Sequence, residues 1–143
     1  METGSHAHGA DPRNETVKIY VRGKIVPRAE ATVSVFDSGF LLGDGVWEGI
    51  RLHNGRLAFI DRHLARLYEG AKAIDMDIGM SPDALHSAIL ETCRANDMTT
   101  GVHIRLVVSR GMKTTPFQSP RANIGPATIV IIPEYKSPNP DVL

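Results

Sequence analysis

Val17, Ile19 and Val21 alternate with Lys18, Tyr20 and Arg22, the period-two pattern of a half-buried strand. Gly23 turns the chain toward Lys24-Ile25-Val26, and Pro27 to Thr32 breaks the pattern. Val46 to His53 reads as a second strand. Asn54-Gly55 then gives the strongest two-residue hairpin signal, since both residue types tolerate the positive φ such turns require, and Arg56 to Ile60 is expected to return beside the strand. Beyond Asp61 the period lengthens. Leu64, Leu67, Ala71 and Ile74 recur at steps of three and four, predicting an amphipathic helix to about Met76. Ser81-Pro82-Asp83 combines an N-cap, a proline at the first helical position and an acid in the first turn. Leu85, Ala88, Ile89, Thr92 and Cys93 line one face of the helix it opens, Pro82–Ala95. Val102 to Ser109 alternates as a strand, and Ala127 to Ile132 is an apolar run expected to be buried on both faces.

This order of elements predicts an α+β domain: a small mixed sheet with two helices, residues 61–76 and 82–95, packed against one side. The domain spans residues 17–132. Residues 1–16 are rich in Gly, His and Asp and lack the apolar stretch of a secretory signal. They read as a disordered leader in which His6 and His8 belong to a floppy tail. Prolines at 133, 138 and 140 make residues 133–143 read as the start of an interdomain linker, the second domain being absent. Between these elements, Gly39, Gly43 and Gly45 fall within seven residues, a density that marks tight turns or close backbone approach.

Composition narrows the partners. Sixteen basic residues balance 16 acidic ones, so no net field attracts nucleic acid or an anionic membrane. Eleven of the 16 basic residues are arginine, whose planar fork suits carboxylates and phosphates better than an ammonium does. A lone Cys93 excludes an intrachain disulfide and suits a reducing, cytoplasmic compartment. No apolar run approaches the ~18 residues of a membrane span.

Strand alternation gathers the arginines. Trp47, Gly49, Arg51 and His53 share one face of the second strand, opposite Val46, Glu48, Ile50 and Leu52. His103, Arg105, Val107 and Ser109 share a face opposite the apolar Val102, Ile104, Leu106 and Val108. Neither polar face carries an acid of its own. On the first helix Arg62 and Arg66 lie one turn apart, with His63 three residues before Arg66. Arginines on rigid elements without local carboxylates invite an anionic ligand. Spacing alone leaves the bland readings open: arginines solvated or paired with acids from elsewhere, Trp47 in the core, His103 a surface imidazole, glycines that merely turn the chain. No phosphate-binding Gly-x-x-x-x-Gly-Lys pattern and no GxSxG elbow is present.

The segment from Phe36 to Arg51, Phe-Asp-Ser-Gly-Phe-Leu-Leu-Gly-Asp-Gly-Val-Trp-Glu-Gly-Ile-Arg, resembles the one that opens the active site in fold-type IV (class IV) pyridoxal-phosphate-dependent aminotransferases. His63-Leu64-Ala65-Arg66-Leu67 is similar to that family's His-x-x-Arg-Leu helix, and His103 to Gly111 to the strand that follows. The three motifs keep order and spacing across about Val17 to Ile132. The family includes branched-chain and D-amino acid aminotransferases, (R)-selective amine transaminases and aminodeoxychorismate lyase. The wording Glu48-Gly49-Ile50-Arg51 is nearest to the branched-chain members, whose tyrosine is replaced here by Leu42.

The resemblance implies a transaminase that moves an amino group between an amino acid and a 2-oxo acid on pyridoxal 5′-phosphate, usually as a homodimer. It implies Arg66 as the grip on the cofactor phosphate. Trp47, Arg51, His103 and Arg105 match positions on the substrate side, Arg105 where a substrate carboxylate is held. The lysine that carries the cofactor belongs to the family's second domain and is expected beyond Leu143. Lys136-Ser137-Pro138-Asn139 echoes its surroundings but lies too close to Arg66, among prolines that do not suit an ordered strand. The chain alone is therefore expected to be inactive. Within the family, aminodeoxychorismate lyase and D-amino acid or (R)-amine transaminase specificities stay open. Outside it two other classes remain: a non-catalytic anion-binding module and a folded interaction domain.

Overall fold

The computed structural model describes residues 11–138. Its strands are β1 (Lys18–Val21), β2 (Lys24–Pro27), β3 (Gly45–His53), β4 (Arg56–Leu57), β5 (Val102–Ser109), β6 (Met112–Lys113), β7 (Asn123–Ile124) and β8 (Thr128–Tyr135). The helices are α1 (Ser38–Leu42), α2 (Ile60–Ala73) and α3 (Pro82–Ala95). Six strands form one sheet in the order β2-β1-β8-β5-β3-β4, and β6 pairs with β7 in a small separate ribbon. The architecture is α+β, as the pattern predicts.

One feature of the sheet differs from expectation. It is antiparallel at every pairing rather than mixed. The chain leaves β4, runs through α2 and α3, and returns as β5 on the far side of β3. Strands of like direction are thereby separated by β3, and no parallel neighbours arise.

Alternation sets the core. Ile50 and Leu52 of β3, Val102, Ile104, Leu106 and Val108 of β5, and Ile129 and Ile131 of β8 point to one side and are buried. Leu64, Leu67 and Ala71 of α2 and Leu85, Ala88, Ile89 and Cys93 of α3 are buried with them in one cluster. Both helices therefore cover the same face. Ser81 caps α3 by accepting a hydrogen bond from the Ala84 N–H at 3.1 Å, as its spacing implies. Asn54 and Gly55 adopt φ of 47° and 76° at the β3–β4 hairpin. α2 stops at Ala73, short of the expected Met76, and Asp75 turns the chain at φ 53°.

Two terminal readings are corrected. Residues 11–16 are ordered, not a disordered leader: Pro12–Thr16 is a 3₁₀ turn. Asn14 Oδ1 accepts from the Tyr135 N–H at 2.7 Å and its Nδ2 donates to the Tyr135 carbonyl at 3.0 Å. A side-chain amide offers both a donor and an acceptor, so it extends the sheet like a short piece of strand. His6 and His8 lie outside the described residues. The last strand also passes Ile132 and runs to Tyr135, with Pro133 buried opposite Ile104. β1 pairs with β8 only at Val130 and Ile131, so a proline beyond them can stand where no second ladder needs an N–H.

Candidate active site

The glycine-rich segment, read from sequence as turns, is a clasp around a short helix. Asp37 caps α1 by accepting from the Gly39 N–H at 2.8 Å, and the same oxygen accepts from Ser109 Oγ at 2.7 Å. Gly43 ends α1 in the left-handed region at φ 65°, where glycine is unstrained. At Gly45 a Cβ would stand 2.6 Å from the Val108 carbonyl oxygen. Glycine here lets β3 lie close against β5. Arg110 fastens the end of this segment: its Nε donates to Asp44 Oδ2 at 2.7 Å, and its Nη1 and Nη2 donate to the Asp75 and Ile74 carbonyls at 2.8 and 2.6 Å. The guanidinium thus also satisfies carbonyls at the C-terminal end of α2.

β3 is braced on one side along its length by β5, while β4 pairs only with Leu52 and His53. Among the described residues, Gly45 to Ile50 are therefore a sheet edge, since the Arg51 carbonyl accepts from the Ala58 N–H at 2.8 Å. An open cleft of about 750 Å³ wraps this edge, and its walls come from both faces of the sheet. Trp47 and Arg105 reach it from the face away from the helices. The Arg105 guanidinium carbon lies 4.0 Å from the Trp47 ring centroid, a cation–π stack that holds the charge in place without neutralising it. Trp47 is 60% exposed, so it is a wall and not a core residue. His103 lies against Gly49, where a Cβ would come within 2.9 Å of its Nε2.

Arg66 enters from the helix side. Its Nε and Nη2 donate to Glu48 Oε1 and Oε2, each at 2.6 Å. His63 Nδ1 lies 2.8 Å from Glu48 Oε2. Glu48 is only 3% exposed, and these neighbours, Arg66 first, hold its carboxyl below the usual carboxylate range against the opposing effect of burial. The same contact raises the Arg66 pKa.

The strand register pairs Arg51 with His103 and Gly49 with Arg105. Trp47, Arg51, His103 and Arg105 therefore occupy one face, as alternation requires. The cleft gathers Trp47, His103, Arg105 and Arg66, but Arg51 does not line it. Arg51 is half-buried, its pKa lowered by that burial, and its Nη1 donates to the Lys136 carbonyl at 2.9 Å. Sequence reasoning missed Glu48. The available signal was an acid in register with Ile50 and Leu52 on the core face, since a buried carboxylate demands partners.

Residues 45–142 match the model of the class IV amino-transferase family. The chain belongs to that family. Among curated relatives of this class IV chain, a branched-chain-amino-acid aminotransferase-like protein of Arabidopsis thaliana is 39% identical over 127 residues, which is 89% of this chain and 23% of the relative. A putative branched-chain-amino-acid aminotransferase of Methanocaldococcus jannaschii is 45% identical over 96 residues, 67% of this chain and 33% of the relative. Among solved structures, the branched-chain aminotransferase of the thermophilic archaeon Thermoproteus uzoniensis, crystallised with norvaline, superposes with a TM-score of 0.69 at 30% identity. That match covers 83% of this chain and 40% of the other. The class IV chain thus spans less than half the length of these proteins. No helix among the described residues is long and apolar enough to cross a membrane, and no cluster of three or more potential metal-binding side chains occurs there.

Proposed function

We propose that this chain is the small domain of a transaminase that moves an amino group between an amino acid and a 2-oxo acid, with pyridoxal 5′-phosphate held between Arg66 and a second domain. The observation that carries the reading is the cleft at the β3 edge, where Arg66 and Arg105 converge from opposite faces of the sheet. The residues present fit the cofactor. Glu48 engages Nε and Nη2 of Arg66, and Nη1 has no partner among the described residues, so N–H donors remain for a phosphate. Gly45, Gly49 and Gly70 line the cleft, and a Cβ at each would crowd Val108, His103 or Val46 respectively.

Each residue then has a task that its surroundings support. Arg66 binds the phosphate and fixes the cofactor's position. Arg105, held flat by Trp47, takes a substrate carboxylate, and the Trp47 face excludes water from one side of the amino acid. His103 lines the same wall. Arg51, tied to the Lys136 carbonyl, shapes the substrate side from outside the cleft. When bound, pyridoxal phosphate supplies the electron sink that makes transfer of the amino group possible. The lysine that carries it, and moves the substrate proton, comes from the second domain. The relatives' greater length supports this. So does the position of Lys136, whose N–H donates to the Gly101 carbonyl beside the start of β5, whereas Gly45 pairs with Ser109 at the other end of that strand. The substrate pair is proposed to be a branched-chain amino acid and its 2-oxo acid, in a cytoplasmic homodimer.

The test is transaminase assay of the full-length protein with pyridoxal phosphate and a panel of L-branched, D- and (R)-amino donors. Turnover with the L-branched donors is expected. Equilibrium binding of pyridoxal phosphate with no product from any donor would replace this reading with an anion-binding module. Absence of both binding and thermal protection would leave an interaction domain.

A further inference from the structure

Glu48 sits where the sequence pattern calls for an apolar residue. Its neighbours along the face, Ile50 and Leu52, are 0% and 2% exposed. Retaining an acid in such a stripe sacrifices apolar burial, and breaking a buried pair leaves a bare charge. Three nitrogens meet the carboxylate, and the arrangement is asymmetric: Arg66 uses Nε and Nη2, so the guanidinium is gripped along one edge only. A planar guanidinium gripped on that edge has one orientation left, with Nη1 turned away from Glu48. The Arg66 side chain is 72% exposed despite the contact. An arginine so exposed ordinarily samples many rotamers, and here the buried acid removes that freedom.

We infer that Glu48 is a positioning residue: with His63 bracing its second oxygen, it locks the Arg66 plane so that Nη1 faces the cleft as a preformed phosphate donor. The inference rests on the proposed role of Arg66 and adds a cause for its affinity. A carboxylate that partly cancels the arginine's charge lowers its bare attraction for a phosphate, yet it removes the ordering cost that an exposed side chain otherwise incurs on binding. His63 Nδ1 approaches Oε2, the oxygen that also accepts from Arg66 Nη2, so the carboxylate itself cannot swing away. Gly70, one turn after Arg66, brings α2 close to β3, where a Cβ would meet Val46 at 3.2 Å. That close approach sets the reach of the Glu48–Arg66 contact.

The experiment compares the affinity of the full-length protein for pyridoxal 5′-phosphate with that for pyridoxal. The ratio of the two affinities isolates the phosphate grip, because a variant that merely loosens the fold weakens both ligands alike. Glu48→Gln keeps the shape but presents an amide N–H₂ to guanidinium donors, so the edge grip fails. The ratio is expected to fall by about tenfold, the equivalent of one charge-assisted hydrogen bond, and Arg66→Ala should lower it at least as far. If Arg66→Ala leaves the ratio unchanged, Arg66 is not the phosphate donor and the functional reading fails at that residue. If Arg66→Ala abolishes the preference while Glu48→Gln keeps the parent ratio, the positioning role alone is wrong. A measurement on the parent protein covers the case of a variant that does not fold. The Arg66 Nε–H should exchange with solvent at least about tenfold more slowly than that of exposed Arg62, as a held hydrogen bond requires. Equal exchange at the two arginines overturns the inference without any substitution.

Discussion

Glu48 keeps a charge inside an apolar stripe because Arg66 and His63 surround it. Its carboxyl is held below its ordinary value of 4.5, so the folded state disfavours the proton relative to the unfolded chain. The stability this provides is complete above about pH 4.5 and is lost as pH falls through the lower, folded-state value. Urea denaturation from pH 7 downward should therefore show the parent losing stability below that point, with a flatter profile for Glu48→Gln. Parallel profiles would remove Glu48 as the source. Cys93 offers a second check at this scale. Burial pushes its thiol up to about 11, and a protonated thiol that solvent does not reach is a poor nucleophile. The native chain should leave a thiol reagent unreacted over minutes and react promptly in denaturant.

At the scale of elements, the segment Asp37–Gly45 shows what a strand-and-helix pattern reveals and what it conceals. Alternation located β3 and β5, and with them the shared face of Trp47, Arg51, His103 and Arg105, because a period of two is a purely local property. α1 was not legible: a helix of five residues with a glycine inside it has no periodicity to read. It exists through Asp37, Ser109 and Gly43, contacts that join residues up to 72 apart in sequence. The Asp44–Arg110 clasp and the Glu48–Arg66 pair were hidden for the same reason, and the lack of acids on the arginines' own faces could not reveal partners on other elements. Pro133 misled because prolines suggest a linker unless the reach of the neighbouring strand is known. Arg110→Ala should destabilise the chain by about 1–3 kcal/mol, since it strips a partner from mostly buried Asp44 and uncaps α2. Equilibrium urea unfolding measures this, and a loss within ~0.5 kcal/mol would show that the clasp is dispensable.

For the whole molecule, the division of the sheet matters most. One face is sealed by α2 and α3, and the other exposes Trp47, which lines a second hollow together with Val33 and Phe40. The cleft wraps the edge between these faces, and the function proposed above places the cofactor lysine on a second domain. The 143-residue chain with pyridoxal phosphate is accordingly expected to show no transaminase turnover and no unique borohydride-trapped lysine. Stoichiometric label at Lys136 together with turnover would defeat this expectation.

Trp47 is the chain's one tryptophan, and it stands in the cleft wall at 60% exposure. Light absorbed and emitted by the indole therefore reports on the cleft wall and is nearly blind to the core. Emission from the native chain should already be red-shifted like that of a solvated indole, and denaturant should move its maximum little while circular dichroism falls. An anion that draws Arg105 off the ring, or a pyridine ring seated beside it, should change the intensity of a fully folded protein. A conventional fluorescence melt would then understate unfolding, whereas the same signal, left unlabelled, would serve as a direct meter of occupancy.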